Sequence, residues 1–447
     1  VSAEWIWIDT LVRGGHTLRS VRLRNETGMV AEEQLGVPAC EGDLVLGTVF
    51  PAFGNAHSHV FHRLLRGRTH ADGGTFWSWR EKMYALAGSL TPPAFESIAA
   101  ASFTEMVASG WGAVGEFHYV HHRVDGAPYP DHDMELALAR AAATAGIRLT
   151  LLDTCYLTGS IGKGLAPEQL RFGDGGAARW LERWFRLRER FADEYPELVL
   201  GAAIHSVRAV PATAIAEIAR ALPAEVPLHI HLSEQVAENE QSLAAYGRTP
   251  TAVLAEAGAL SGRLSVVHAT HLSDGDIVLL GEAGVHAVFC PTTEADLGDG
   301  LGPASELFAA GARLAVGSDQ NAVLDPLLEL RGLEAGERLR SQTRGRFSPE
   351  QLLDIGTRVG YSSLGLQAPG LIGGLCDLVE VDAASVRTAG SLPEQLLLTG
   401  TASDVIRTIV AGRVVYERSR DSARLSKAAV DLARFAADPA AMAEENS

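Results

Sequence analysis

Lysine is nearly absent from this chain: Lys82, Lys163 and Lys427 are the three in 447 residues, and arginine carries the remaining positive charge. Cysteine is sparse too. Cys40, Cys155, Cys290 and Cys376 are scattered without a CxxC pair, which points to reduced thiols in a cytoplasmic protein. No uncharged apolar run is long enough to span a bilayer. The start, Val1-Ser2-Ala3-Glu4-Trp5, has no basic segment leading into an apolar one, so no secretory signal is expected. The formal net charge of -17 argues against a nucleic-acid partner. No Gly-rich dinucleotide turn follows an early strand, which disfavours a doubly wound open sheet. Solenoid repeats and low-complexity linkers are missing as well.

What remains is the composition of a globular enzyme, long enough for one large α/β barrel or two to three smaller domains. Both ends are rich in short strands. Trp5-Ile6-Trp7-Ile8 is apolar, Arg13-Gly14-Gly15 signals a turn, and Ser20 to Arg24 alternates. The same character returns in Gly374 to Val381 and in Val405 to Val415. One small β-sandwich domain is therefore expected from residues 1–50 together with 368–420.

The middle of the chain alternates. Strand-like runs at Val45–Phe50, Val114–Phe117, Arg148–Leu152, Val199–Ile204, Leu228–His231, Leu264–His268, His286–Cys290 and Arg313–Val316 are separated by helix-like stretches, among them Pro92–Ser109 and Ala177–Glu194. About eight β/α units make residues 51–367 a TIM-like (β/α)8 barrel. Residues 421–447 read as a helix and a frayed end.

In such a barrel, chemistry sits where strands end. His57 and His59 follow the first strand and project to one side of it. Glu116-Phe117-His118-Tyr119 ends the second, His205-Ser206-Val207-Arg208 the fourth, and His229-Ile230-His231-Leu232-Ser233-Glu234 the fifth. His268-Ala269-Thr270-His271 ends the sixth and Gly317-Ser318-Asp319 the eighth. Singly, each could be a satisfied core histidine or a helix cap; together, at one end of successive strands, they resist a packing explanation. His57, His59, one histidine of the fifth strand and Asp319 offer three nitrogens and one carboxylate. That set suits one divalent ion, Zn2+ best and Fe2+ or Mn2+ as alternatives, with room for a water whose pKa is brought near 7. Glu234 is placed to pass a proton between that water and a leaving group, and His268 to hydrogen-bond the water or polarise the bond under attack. None of the three lysines lies on a barrel strand, so a carboxylated lysine bridging two ions is excluded and a mononuclear site is expected.

His57-x-His59, His231-x-x-Glu234, His268 and Asp319 resemble the amidohydrolase superfamily in its mononuclear deaminase branch, over the whole chain. Longer motifs narrow the resemblance: Asn55 to Phe61, Phe76-Trp77-Ser78-Trp79-Arg80-Glu81-Lys82-Met83-Tyr84, Glu116 to His122, His205 to Val210, His229 to Gln235, Val267 to His271 and Thr293 to Gly300. They are similar to members that act on formimino amino acids. The resemblance implies hydrolysis of N-formimino-L-glutamate to N-formyl-L-glutamate and ammonia, a step of bacterial histidine degradation, and a homodimer. It implies His57, His59, His231 and Asp319 as metal ligands, with Glu234, His268 and Asp319 catalytic. It places His62, Arg80, Tyr119, His205 and Arg208 on a small anionic substrate. A substrate with two carboxylates calls for fixed bidentate donors, which arginine supplies better than lysine. The bland readings are a solvated helix-face charge for Arg80 and a cap partner for Arg208.

Two positions depart from the pattern. His62 stands where a glutamine is expected, and Asn321 where a histidine is expected. Both leave the metal chemistry intact and keep N-formimino-L-aspartate open as a substrate. A ring amidine of the guanine or cytosine type would want stacking faces and amide donors rather than paired arginines. A barrel that has lost catalysis and serves as a scaffold usually lacks ligands, and here the set is complete.

Overall fold

The computed structural model describes residues 3–70 and 76–437. The expectation for the first two residues and the frayed end after Ala437 lie outside that range. Eight parallel strands run in chain order: Phe53–Ser58, Trp111–His118, Arg148–Cys155, Val199–Ile204, Leu228–Leu232, Leu264–His268, His286–Phe289 and Arg313–Val316. Nearly every residue in them is buried, as strands covered on both faces require. The last strand meets the first through a parallel bridge between Ser58 and Asp319, so the sheet closes into a barrel. At that closure Gly317 lies so near the first strand that a Cβ would fall 2.8 Å from backbone atoms of His57, which restricts the position to glycine.

The helices pack around the barrel. In Ala177–Glu194, Trp180, Trp184, Leu187 and Phe191 recur at helical spacing and are buried, while the arginines and glutamates between them mostly face solvent. Each such apolar side chain contributes on the order of 2 kcal/mol. The end opposite the strand C-termini is closed by residues 355–366. Ser363 O accepts from His229 Nε2 at 2.9 Å, and Leu364 O accepts from Thr150 Oγ1 at 2.8 Å.

Both chain ends form one seven-stranded sheet, in which Trp5–Arg13 pairs in parallel with Leu44–Pro51. The sheet curls around Ile6, Ile8, Leu23, Leu46, Val49 and Ile409. It curls until Met29–Leu35 reaches the segment before Leu378, where Val30 N–H donates to Gly374 O at 2.9 Å. The run Val45–Phe50, expected as the opening strand of the barrel, lies instead in Leu44–Pro51 of this sheet, because it pairs with Trp5–Arg13. After one intervening residue the chain enters the first barrel strand, Phe53–Ser58, which itself contains His57 and ties the two layers together. The run 405–415 is not one strand. It divides into Val405–Val410 and Arg413–Glu417, because Ala411 and Gly412 both take positive φ (52° and 70°) and make a tight hairpin turn. Among the described residues no helix is long and apolar enough to cross a membrane.

Candidate active site

The residues expected to hold a metal converge at the C-terminal mouth of the barrel. His57 Nε2 lies 3.1 Å from His231 Nε2 and 3.3 Å from Asp319 Oδ1, and His59 Nε2 lies 3.4 Å from the same oxygen. The outer nitrogens explain why these atoms face one another. His59 Nδ1 is 2.8 Å from Phe117 O and His231 Nδ1 is 3.0 Å from His205 O. A carbonyl only accepts, so both Nδ1 atoms carry the proton and both Nε2 atoms present a lone pair. Burial also pushes the basicity of His57, His59 and His231 well below the usual histidine range, which keeps them neutral. Buried lone pairs pointed at one another and at a carboxylate fit a divalent cation and otherwise repel.

Sequence spacing left His229 and His231 undecided, since residues two apart share a face. Depth separates them. His229 sits lower in the barrel, bonded to Ser363, and burial brings its pKa down to about 4; His231 reaches the mouth.

His268 stands across from this set. Its Nε2 is 4.0 Å from Glu234 Oε1 and 3.9 Å from Asp319 Oδ2, and its Nδ1 is 3.4 Å from Glu294 Oε1. Burial opposes its protonation, but Glu234, Glu294 and Asp319 outweigh it and raise the pKa to about 10. Glu294 is itself fixed by the Cys290 N–H at 2.8 Å. Ser233, His268, Ala269, Asp319 and Asn321 all adopt positive φ. Strained backbone thus collects at the ends of the fifth, sixth and eighth strands, where side chains must turn into the mouth.

A cavity of about 570 Å³ opens beside these groups. It is lined by all five residues expected on the substrate, His62, Arg80, Tyr119, His205 and Arg208, and by His59, His231, Glu234, His268 and Asp319. Arg80 comes from the helix Phe76–Ser89 and is no solvated face charge. Its Nε donates to Tyr84 Oη at 2.6 Å. Arg208 is no cap partner either. Its Nε has no hydrogen-bond partner among the described residues and lies 3.7 Å from Glu238 Oε2. Burial pushes the Glu238 carboxyl up to about 7 against the pull of Arg208. His205 is held neutral by burial and by both arginines.

The two departures have different standing. His62 is in the cavity, with Nε2 3.0 Å from Tyr119 Oη. Asn321 is beneath it: its Nδ2 donates to His59 O at 2.9 Å and its Oδ1 accepts from Ser318 Oγ at 2.6 Å. Asn321 therefore shapes the loop that carries Asp319 and does not meet a ligand in the cavity.

Tyr84, Tyr156 and Glu294 are among the residues of the site to which the sequence assigned no role. Tyr84 lies one helical turn beyond Arg80, a spacing that brings side chains together. Tyr156 follows the third strand, whose end the strand-end rule should have included. Glu294 sits inside a recognised motif, but its contact with His268 is long-range.

The Amidohydrolase family model matches residues 48–415, and the chain belongs to that family. It is a hydrolase of carbon–nitrogen bonds. It is similar to formimidoylglutamate deiminase of Pseudomonas aeruginosa, with 36% identity over 419 residues, covering 90% of this chain and 92% of that protein. It is also similar to the 5-methylthioadenosine/S-adenosylhomocysteine deaminase of Natronomonas pharaonis, at 27% identity over 97% of this chain and 98% of that one. The crystal structure of an amidohydrolase from Brucella melitensis superposes with a TM-score of 0.87 at 30% identity, over 97% of this chain and 99% of that chain.

Proposed function

We propose that the protein hydrolyses N-formimino-L-glutamate to N-formyl-L-glutamate and ammonia, as a homodimer acting in histidine degradation. The observation that carries this reading is the pair Arg80 and Arg208 in the same cavity as His59, His231, His268 and Asp319, with His57 buried beside it among the ligand atoms of His231, His268 and Asp319. A dianionic substrate needs two such donors, and an acidic protein must create that positive field locally.

One divalent ion, Zn2+ in preference to Fe2+ or Mn2+, is assigned to His57, His59, His231 and Asp319. When bound, it supplies Lewis acidity that makes water nucleophilic at neutral pH. Glu234 takes a proton from the attacking water to the imino nitrogen, then carries the remaining hydroxyl proton to the resulting amino group, so that the C–N bond breaks, ammonia leaves with both protons and the oxygen stays as the formyl C=O. His268, protonated between Glu234 and Asp319, donates a hydrogen bond to the oxygen that becomes the formyl oxygen. Arg80, Arg208, Tyr119 and His205 hold the glutamate portion, and His62 borders it through Tyr119.

Ammonia release compared across formiminoglutamate, formiminoaspartate, guanine and cytosine tests the reading. Formiminoglutamate should have the highest kcat/KM. Preference for formiminoaspartate would shorten the assigned substrate, and preference for either ring would replace it.

A further inference from the structure

Gln169 lies behind the cavity wall and does not line it. Its side chain is almost fully enclosed, at 2% exposure, in the short helical segment Pro167–Phe172. Its orientation is fixed from one end: Ala166 N–H donates to Gln169 Oε1 at 2.9 Å, so the NH₂ group must face the other way. Gly159 makes room for that oxygen, since a Cβ there would come within 2.5 Å of it. The NH₂ group donates to two tyrosines, Tyr84 Oη at 2.9 Å and Tyr156 Oη at 2.8 Å. An amide NH₂ has no acceptor capacity, so both hydroxyls accept and neither can direct its own proton at Gln169.

The consequence runs along a chain of donors. Tyr84 Oη receives Arg80 Nε as well as Gln169 Nε2, which fills both of its acceptor positions. Tyr84 must then donate. Tyr156 is its neighbour and lies in the fields of both Arg80 and Arg208. With its acceptor positions filled, Tyr84 cannot accept from Tyr156, so its O–H turns either to Tyr156 Oη, which leaves the Tyr156 O–H for the cavity, or to the cavity itself; in both cases at least one O–H faces the cavity beside Arg80. A wall of that kind offers donors only, and a carboxylate accepts only.

We infer that Gln169 is a positioning residue for substrate recognition: by orienting the Tyr84 and Tyr156 hydroxyls, it turns the wall beside Arg80 into a donor-only subsite for a carboxylate of the substrate. The inference rests on the proposed function for its substrate, but the subsite itself is measurable with a dicarboxylate that cannot react.

The test uses the metal-loaded protein with glutarate as probe, measured by calorimetry, alongside steady-state kinetics on formiminoglutamate. Gln169→Leu should weaken glutarate binding roughly tenfold, the size of one misdirected hydrogen bond to a charged group, and raise KM in proportion with kcat changed less than about threefold. Unaltered glutarate affinity overturns the inference, and so does a loss confined to kcat, which a merely structural role would give. Tyr84→Phe combined with Tyr156→Phe should show the same loss, and adding Gln169→Leu to that pair should cost nothing further; a second full loss would mean that Gln169 acts by another route. Should Gln169→Leu fail to fold, Gln169→Glu keeps the shape but accepts where glutamine donates, drawing the hydroxyl protons away from the cavity. Wild-type affinity for glutarate in that variant overturns the inference. If the wild type binds glutarate in this Gln169-dependent manner yet releases no ammonia from formiminoglutamate, the proposed function fails and the subsite stands.

Discussion

The backbone N–H of Asp319 donates to the carbonyl oxygen of His57 at 2.9 Å. The contact that closes the barrel is thus made by two of the residues assigned to the metal, and their side-chain separation of 3.3 Å is set by the closure itself. Because the link is backbone to backbone, replacing the Asp319 side chain should leave it in place.

The first prediction follows from that separation of roles. Asp319→Asn should remain folded but lose its metal. Elemental analysis should give one divalent ion per wild-type chain and far less in the variant. Chelation should lower the stability of the wild type, by about 2.7 kcal/mol if the ion had been present at a hundred times its dissociation constant. Two tightly held ions per active chain would contradict the assignment.

Glu234 lines the cavity 4.0 Å from His268 Nε2 and belongs to none of the groups of ligand atoms that face one another at the mouth. Glu234→Gln should keep its metal and lose turnover by about 10²–10⁴-fold, the usual contribution of a positioned acid–base group. Near-normal kcat with full metal content would remove Glu234 from the reaction.

Much of this was legible in the sequence, for one reason: parallel barrel strands end at one face, so a histidine or carboxylate at a strand end is already placed. His57, His59, Glu234, His268 and Asp319 all follow from that rule. What the rule lacks is depth. His229 and His231 share a face, and only the segment that closes the barrel floor separates a structural histidine from one at the mouth. It also lacks partners from elsewhere in the chain. His118 follows Phe117 on the opposite face of its strand and points away from the site, toward Glu135 at 3.3 Å. Gln169 carries no strand-end or motif signal, and its role rests on two tyrosines 85 and 13 residues away.

The histidines of the second strand's end belong instead to a buried charge network. Arg183 reaches Asp153 at 2.7 Å, Asp174 at 2.8 Å and Glu135 at 3.3 Å, while His121 Nδ1 lies 2.7 Å from Glu135. Arg183→Ala strands these carboxylates and should destabilise the fold by about 3–5 kcal/mol. Burial alone would raise the Asp174 and Glu135 carboxyls, but Arg183 with His122 and His121 holds Asp174, and His118 with His121 holds Glu135, below the usual carboxylate range. Their stabilisation is therefore present above that range and lost as pH falls through the folded values. His121 is shifted the other way, up from 6.5 against its own burial, by Asp153 and Glu135. Its share is complete below 6.5 and fades as pH rises through the folded value. Urea midpoints across pH should fall at both ends in the wild type, with the acid limb flattened in Arg183→Ala; equal limbs in both proteins would discount the network.

On the proposed function, Arg80→Ala and Arg208→Ala should each leave a substrate charge unpaired in a partly desolvated cavity. Truncating one partner of such a pair costs about 2–5 kcal/mol, which corresponds to roughly one and a half to four decades in kcat/KM. Neither arginine is among the residues assigned to the metal, so metal content should hold. Formamidine, which has no glutamate portion, should be a poor substrate for the wild type and nearly indifferent to both changes. Equal losses on formamidine and formiminoglutamate would assign the arginines to structure.

The length of the substrate is tested at His62. It stands where a glutamine is expected, and it is buried in the cavity with its Nε2 3.0 Å from Tyr119 Oη and its Nδ1 without a partner among the described residues. Burial holds the ring neutral, so it offers one donor and one acceptor, as a glutamine amide can. If the Tyr119 contact is what that position contributes, an amide of similar reach should supply it equally well. His62→Gln should then leave the ratio of formiminoglutamate to formiminoaspartate turnover within about threefold of the wild type, since a lost neutral hydrogen bond is worth on the order of 1 kcal/mol and none is lost here. The imidazole is bulkier and stiffer than the amide, however, and a shorter substrate would use that bulk to fill the space a longer one occupies. A swing of more than tenfold toward formiminoglutamate in His62→Gln would show that the histidine shortens the cavity, and that the natural substrate has one methylene fewer.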